Sequence, residues 1–211
     1  MAVGALLLAV FRHAGLLGAL GWVAAMILIA VPVAGRRGGG LPYARWAATA
    51  GVATGSVLTL ATLMSLAVFP AQARVVVPIG GMIVSGAIQA AGITLRRLRE
   101  DAAQARPAIE ARLCLGLSAR DAFLPHQRSA LRTALLPAID STKVVGLISL
   151  PGAMTGLILA GVDPPTAIRY QIVVMYMLLA ATALAALTTA RATEHHLFDH
   201  AHRLRLITTP N

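Results

Sequence analysis

Across 211 residues, 57% are hydrophobic and 12% charged, too few charges to solvate the surface of a water-soluble domain of this length. The formal net charge of +10 would suit nucleic acid, but the arginines flank apolar runs and aromatic residues stand at 4%, so a nucleic-acid partner is excluded. What remains is a chain made for a lipid bilayer.

Apolar runs occupy about 2–11, 15–34, 46–69, 75–95, 144–160 and 170–190. A span needs about 20 residues, so the first run is partial and the fifth short. Backbone amides in lipid must bond within the chain, and no run alternates as a barrel strand does. The expected fold is all-α: a polytopic helical transmembrane protein with about five to six spans. The apolar start lacks a basic stretch and a cleavage site, so a removable signal peptide is not expected. With Cys114 as the one cysteine, no disulfide forms within the chain.

Arginines set the expected orientation. Arg36, Arg37 and Arg45 lie between the second and third runs, eight arginines lie within 96–132, and Arg191, Arg203 and Arg205 follow the last run. The other two connections carry one each, Arg74 and Arg169. Positive residues favour the cytosolic side, placing 35–45, 96–132 and the C-terminus there and 70–74 and 161–169 outside. The segment 96–143 reads as a cytosolic helical excursion. Leu113, Leu117 and Ala119 share an apolar stripe, and Pro107, Pro125 and Pro137 mark breaks. Such an excursion serves as a docking surface or lies as an interfacial helix on the headgroups.

No catalytic constellation appears, and an enzyme is not expected. Lys143, the single lysine, sits between Thr142 and Val144 and outside any phosphate-binding loop; HExxH, CxxC and GxSxG are absent. Energy for uphill transport must come from a partner or an ion.

The spans carry backbone devices instead. Pro78, Gly80 and Gly81 open one run as PIGGM, followed by Ser85; SLPGAMTG places Pro151 within another, with Gly152 and Gly156 four apart. Proline frees a carbonyl, and small residues four apart let helices approach closely. One reading is a broken helix lining a substrate path, with Met154 or Thr155 meeting an ion; the other is ordinary close packing. Asp140 and Lys143, three apart at the edge of the fifth run, form a functional pair, or else a helix cap and a lysine reaching for the interface. Near the C-terminus, TEHHLFDHAHR sets His195, Asp199 and His202 on one helical face and His196 and His200 on the next. That spacing suits a divalent metal, but nothing in it supplies supporting groups, and no metal site is assigned.

PIGGMIVSGAI, EARLCLGLSARDAF and LLPAIDSTKVVGLISLPGAMTGLILAGVDPPTAIRYQIVVMYMLL, in this order over 78–190, resemble the Fet-type iron-export permease family, the FetB-like membrane subunits of ABC transporters. Plant aluminium-tolerance permeases belong to the same wider group. The resemblance implies one ABC permease domain over 1–211, in the plasma (inner) membrane, two copies paired with a separate ABC ATPase subunit that holds ATP and Mg. It implies export of iron or another metal, with no cofactor in this chain. Met82, Ser85, Asp140, Lys143, Pro151, Met154 and Thr155 then become the expected substrate path. Glu110 and Ala111, with Gly116 six residues after the glutamate, fit the start of the loop such permeases present to their ATPase, although Arg112 replaces its second alanine. Family members begin with a further span before the region matching 1–11, so the resemblance implies either that Met1 is not the true start or that the first helix is missing here. An ATPase-independent channel or secondary transporter is the rival reading; it calls for an acidic relay, and Asp140 is the one acid near a span core. A mere membrane anchor leaves SLPGAMTG and the excursion without a purpose.

Overall fold

The computed structural model describes residues 15–36, 38, 39, 41, 43–144, 151–199 and 204. These form seven helices: α1 Gly15–Arg36, α2 Ala44–Ser65, α3 Ala73–Gln104, α4 Arg106–Cys114, α5 Ala119–Val144, α6 Gly152–Leu159 and α7 Pro164–Leu197. Among the described residues, four helices are long and apolar enough to cross a membrane, namely α1, α2, α3 and α7. They coincide with the expected runs 15–34, 46–69, 75–95 and 170–190, and the protein is a polytopic helical membrane protein. The run at 2–11 lies outside the described residues, as do 145–150 of the fifth run. What is described of that fifth run is α6, preceded by Pro151 in an extended conformation (φ −59°, ψ 144°).

Helices α3 and α7 form the centre. α3 packs on α1, α2, α5 and α7, and α7 packs also on α2, α5 and α6. Lipid is as apolar as leucine, so helices associate in it by close packing rather than by expelling water. The α2–α7 seam shows how. Gly51 and Gly55 of α2 face Ala181, Ala185 and Thr189 of α7, and a methyl group added at Gly55 would stand 2.8 Å from the Ala181 carbonyl oxygen. One at Gly51 would collide with the Thr189 hydroxyl. Two span hydroxyls bond back onto their own helix: Thr62 Oγ1 donates to the Leu58 carbonyl (2.8 Å) and Thr94 Oγ1 to that of Ala90 (2.8 Å).

Ring contacts and hydrogen bonds identify the two ends. At one end, Phe69 meets Tyr170 across 6.0 Å. At the other, Tyr43 stacks on His196 (4.7 Å), Phe123 meets Phe198 edge-on (5.8 Å), and Arg99 Nη1 donates to the Gly39 carbonyl (3.1 Å). The helix termini follow local chemistry. Pro164 and Pro165 begin α7, where a missing N–H costs nothing, and the Asp163 carbonyl accepts from Thr166 and Ala167.

The structure redraws the segment 96–143. α3 does not stop at its charges but runs 32 residues to Gln104, because Arg96 pairs with Glu100 (2.9 Å) and Arg97 with Asp101 (3.3 Å) one turn on. Pro107 sits at the start of α4 as expected. Pro125 and Pro137, expected to break the chain, lie inside α5. Both are exposed, while Ala122, Phe123, Ala130 and Ala134 hold one continuous buried face past them. Packing of that face outweighs the hydrogen bond each proline removes, about 3 kcal/mol in an isolated helix. Leu117 leaves the expected stripe: α4 ends at Cys114, and Leu117 falls in the turn, 41% exposed.

Candidate functional site

Phe123 touches Phe198, and Gln127 Nε2 donates to Glu194 Oε2, so α5 and α7 run antiparallel. About fourteen residues further along α5, at 1.5 Å per residue, Ser141 stands level with the middle of α7's apolar run. A groove of about 620 Å³ agrees, since Ser141 lines it together with Leu178 and Leu179. The second half of α5 therefore packs level with the middle of the span-length helix α7.

Three helices enclose this groove. α3 contributes Met82, Ser85 and Gln89; α5 contributes Pro137 and Ser141; α7 contributes Met175 and Thr182. Pro78 and Gly86 also face it. The Thr182 hydroxyl already donates to the Leu178 carbonyl (2.9 Å) and that of Ser141 to Ala138 (2.7 Å), so their lone pairs remain to meet a solute. The donor set is two thioethers, three hydroxyls and an amide. No carboxylate or imidazole lines the groove among the described residues.

Of the expected path residues, Met82 and Ser85 line the groove. Gln89, Ser141, Met175 and Thr182 were not anticipated. A polar Gln89 inside an apolar run was a usable signal; the others require the register of three helices. Met154 is buried, and Thr155 Oγ1 donates to the Pro151 carbonyl (3.2 Å), but none of Pro151, Met154 and Thr155 lines the groove. Among the described residues, methyl groups added at Gly152 and Gly156 would meet nothing within 4 Å, so there the pair makes no close helix approach.

Asp140 and Lys143 were expected at the cytosolic edge of a span. The structure sets them near mid-span level, on the face of α5 turned away from the groove. Lys143 Nζ donates to Asp140 Oδ1 at 3.3 Å, with side chains 70% and 60% exposed. An ionised group on lipid at that depth costs about 2.5–3.5 kcal/mol by insertion scales, so this face calls for a cover other than lipid.

The C-terminal histidines do not assemble as expected. α7 ends at Leu197, Phe198 is extended (φ −105°, ψ 146°), and Phe198 forms an isolated antiparallel bridge with Leu204. The helical face meant to carry His195, Asp199 and His202 is thus cut short. His196 stacks on Tyr43, and His195 lies 5.5 Å from His196, ring edge to face. His200 and His202 lie outside the described residues. Among the described residues, no three His, Cys, Asp or Glu side chains form a metal-holding group.

At this same end a polar cluster ties α3, α5 and α7 together. Asp101 is buried, near Arg97 and 3.8 Å from His126 Nδ1, while Gln127, also buried, bonds Glu194. Gln127→Leu removes the donor and leaves a part-buried carboxylate uncompensated. The expected loss is about 1–3 kcal/mol, read as a lower denaturation midpoint in detergent; an unchanged midpoint would show that water replaces the amide.

The turn beyond α4 is apolar and bare. Leu115 is 80% exposed, and Gly116 has φ +87°, where an added methyl group would meet nothing within 4 Å among the described residues. Ile109 is fully buried and anchors α4, whereas Glu110 is exposed and paired with Arg106 at 2.7 Å. Ala111 is exposed beside it.

The chain is 41% identical over 162 residues to "UPF0014 membrane protein STAR2" of Oryza sativa subsp. japonica, covering 77% of this chain and 57% of that protein. It is 38% identical over 189 residues to "Protein ALUMINUM SENSITIVE 3" of Arabidopsis thaliana, covering 88% and 69%. It is 38% identical over 156 residues to "Probable iron export permease protein FetB" of Escherichia coli strain K12, covering 72% and 59%. The chain thus spans less than two thirds of the length of the first and third of these relatives. No solved structure matches it. Matched over residues 1–198, this membrane protein belongs to the family described as "Uncharacterised protein family (UPF0014)".

Proposed function

We propose that this chain is the membrane-spanning permease subunit of an ABC exporter that moves a metal, iron by analogy with the Escherichia coli relative, out of the cytosol. The groove between α3, α5 and α7 carries the reading: a largely apolar cavity into which Ser85, Gln89, Ser141 and Thr182 bring polar groups, beside the middle of α7, in a chain without a phosphate-binding loop. Two copies would work with two copies of a separate ATPase that holds ATP and Mg. The arginine distribution supports an inner-membrane orientation with the α4 end and the C-terminus in the cytosol. Thioethers and neutral hydroxyls favour a soft cation or a metal still carrying its own ligands over a bare, strongly hydrated ion. An ATPase-independent channel would need an acidic relay, and the groove lining supplies none among the described residues.

In this reading the turn Leu115–Gly116–Leu117, with Glu110 and Ala111 on the helix before it, is the ATPase dock. An exposed leucine at a rigid turn is an anchor for a hydrophobic pocket, and Leu115→Asp costs the fold little because the side chain is bare. Leu115→Asp and Gly116→Pro, the latter incompatible with φ +87°, should each cut co-purification with the ATPase by about tenfold or more, the equivalent of 1.4 kcal/mol. The purified permease alone should hydrolyse no ATP. Undiminished ATPase capture by both variants would remove this turn from the coupling role.

A further inference from the structure

Asp140 and Lys143 stand at span depth on an outward face of α5, opposite in sign and one turn apart. Neither lines the groove, so a water-filled path through it does not cover them. Two copies of one membrane protein share an orientation, so the two-fold axis relating them runs along the membrane normal and equivalent helices meet in parallel. At about 100° per residue, Leu136 projects between Asp140 and Lys143 on the helical wheel. Leu136 is 44% exposed. Leu136 then lies on the seam of a parallel helix pair, with Asp140 about 40° to one side of it and Lys143 about 20° to the other. A two-fold then sets the left flank of each helix against the right flank of the other.

We propose that α5 meets α5 of a second copy along this face, Leu136 against Leu136, with Asp140 of each copy paired to Lys143 of the other. The occupant is a second copy because the patch is complementary to itself: one symmetric contact gives the Asp140–Lys143 pair, made at 3.3 Å within the chain, a second set of counter-charges, whereas lipid leaves its exposed side without any. The contact rests on the two-copy reading above and specifies which helix makes it. It also places the grooves of the two copies on opposite sides of a shared seam, since Ser141 faces the groove from the far side of the same helix.

The test uses the full chain in native membranes with Cys114→Ser removing the natural thiol. Leu136→Cys should form a disulfide-linked dimer on mild oxidation, and Leu28→Cys, exposed on α1, should not. Adding Asp140→Lys, or separately Lys143→Asp, places like charges on both flanks and should lower that yield by about tenfold or more. Co-expressing differently tagged Asp140→Lys and Lys143→Asp chains should restore cross-linking between unlike chains only. That rescue separates exchanged pairs from pairs within one chain, which stay broken in both variants. Equal cross-linking at Leu28→Cys, or absence of the mixed product, overturns the proposal. Photobleaching of labelled permease in lipid nanodiscs separates the two levels. Two steps without a Leu136→Cys cross-link mean a dimer built on another face, overturning the seam alone; single steps overturn the two-copy reading as well.

Discussion

Gly51→Leu should be the most destabilising single change in the bundle. Its side chain would project into the Thr189 hydroxyl and the Ala185 carbonyl of α7, neither of which is the free end of a flexible chain. Overpacking costs about 1–3 kcal/mol and occasionally more, and here α2 and α7 must separate along their whole shared seam. A lower unfolding midpoint in detergent and new protease cleavage near α2 are the expected readouts. Gly156→Leu is the matched comparison. The same substitution in a helix of the same chain begins where an added methyl meets nothing within 4 Å among the described residues, and should leave the detergent-solubilised midpoint almost unmoved. Equal losses at both sites would mean that the α2–α7 seam is not what holds the bundle.

Ser85→Phe should stop transport without unfolding the protein. Ser85 is exposed to the groove between α3, α5 and α7, so an aromatic ring there occupies space that a solute must cross rather than space another helix fills. Efflux of metal from cells that also make the ATPase should fall by about tenfold or more, a barrier increase of at least about 1.4 kcal/mol. Membrane abundance and ATPase capture should stay at the level of the unmodified chain. Ser85→Ala, which keeps the space and removes one lone-pair donor, should retain most of the flux. Normal efflux by Ser85→Phe would move the path away from this groove.

Much of the fold was legible because hydropathy reports spans directly. Runs at 15–34, 46–69, 75–95 and 170–190 each became a helix, with ends shifted by a few residues except where charge pairs extended α3 and where α7 continued polar. α5 was not legible as an element at span depth. Arg128, Arg132, Asp140, Lys143 and two prolines lower its average hydropathy, and only contacts with α3 and α7 reveal its level. Spacing of small residues misled in a related way. Gly152 and Gly156 drew attention beside a proline, yet Gly51 and Gly55 make the close approach, since four-residue spacing does not say which face has a partner. The C-terminal histidines were misplaced because no glycine or proline marks the end of α7; Phe198 turns extended under tertiary contact with Phe123.

Helix α3 has a consequence for how this chain tolerates change. It runs without interruption from Ala73, past Met82, Ser85 and Gln89, to Gln104 beside the turn into α4, about 48 Å at 1.5 Å per residue. A rod of that length has no swivel, so the azimuth of the dock and the azimuth of the groove wall are locked in phase. One residue inserted between Ile93 and Asp101 would rotate one against the other by about 100°, and seven would nearly restore the phase. Length variation in this stretch is therefore quantised by helical geometry, even where every inserted side chain would be harmless by itself.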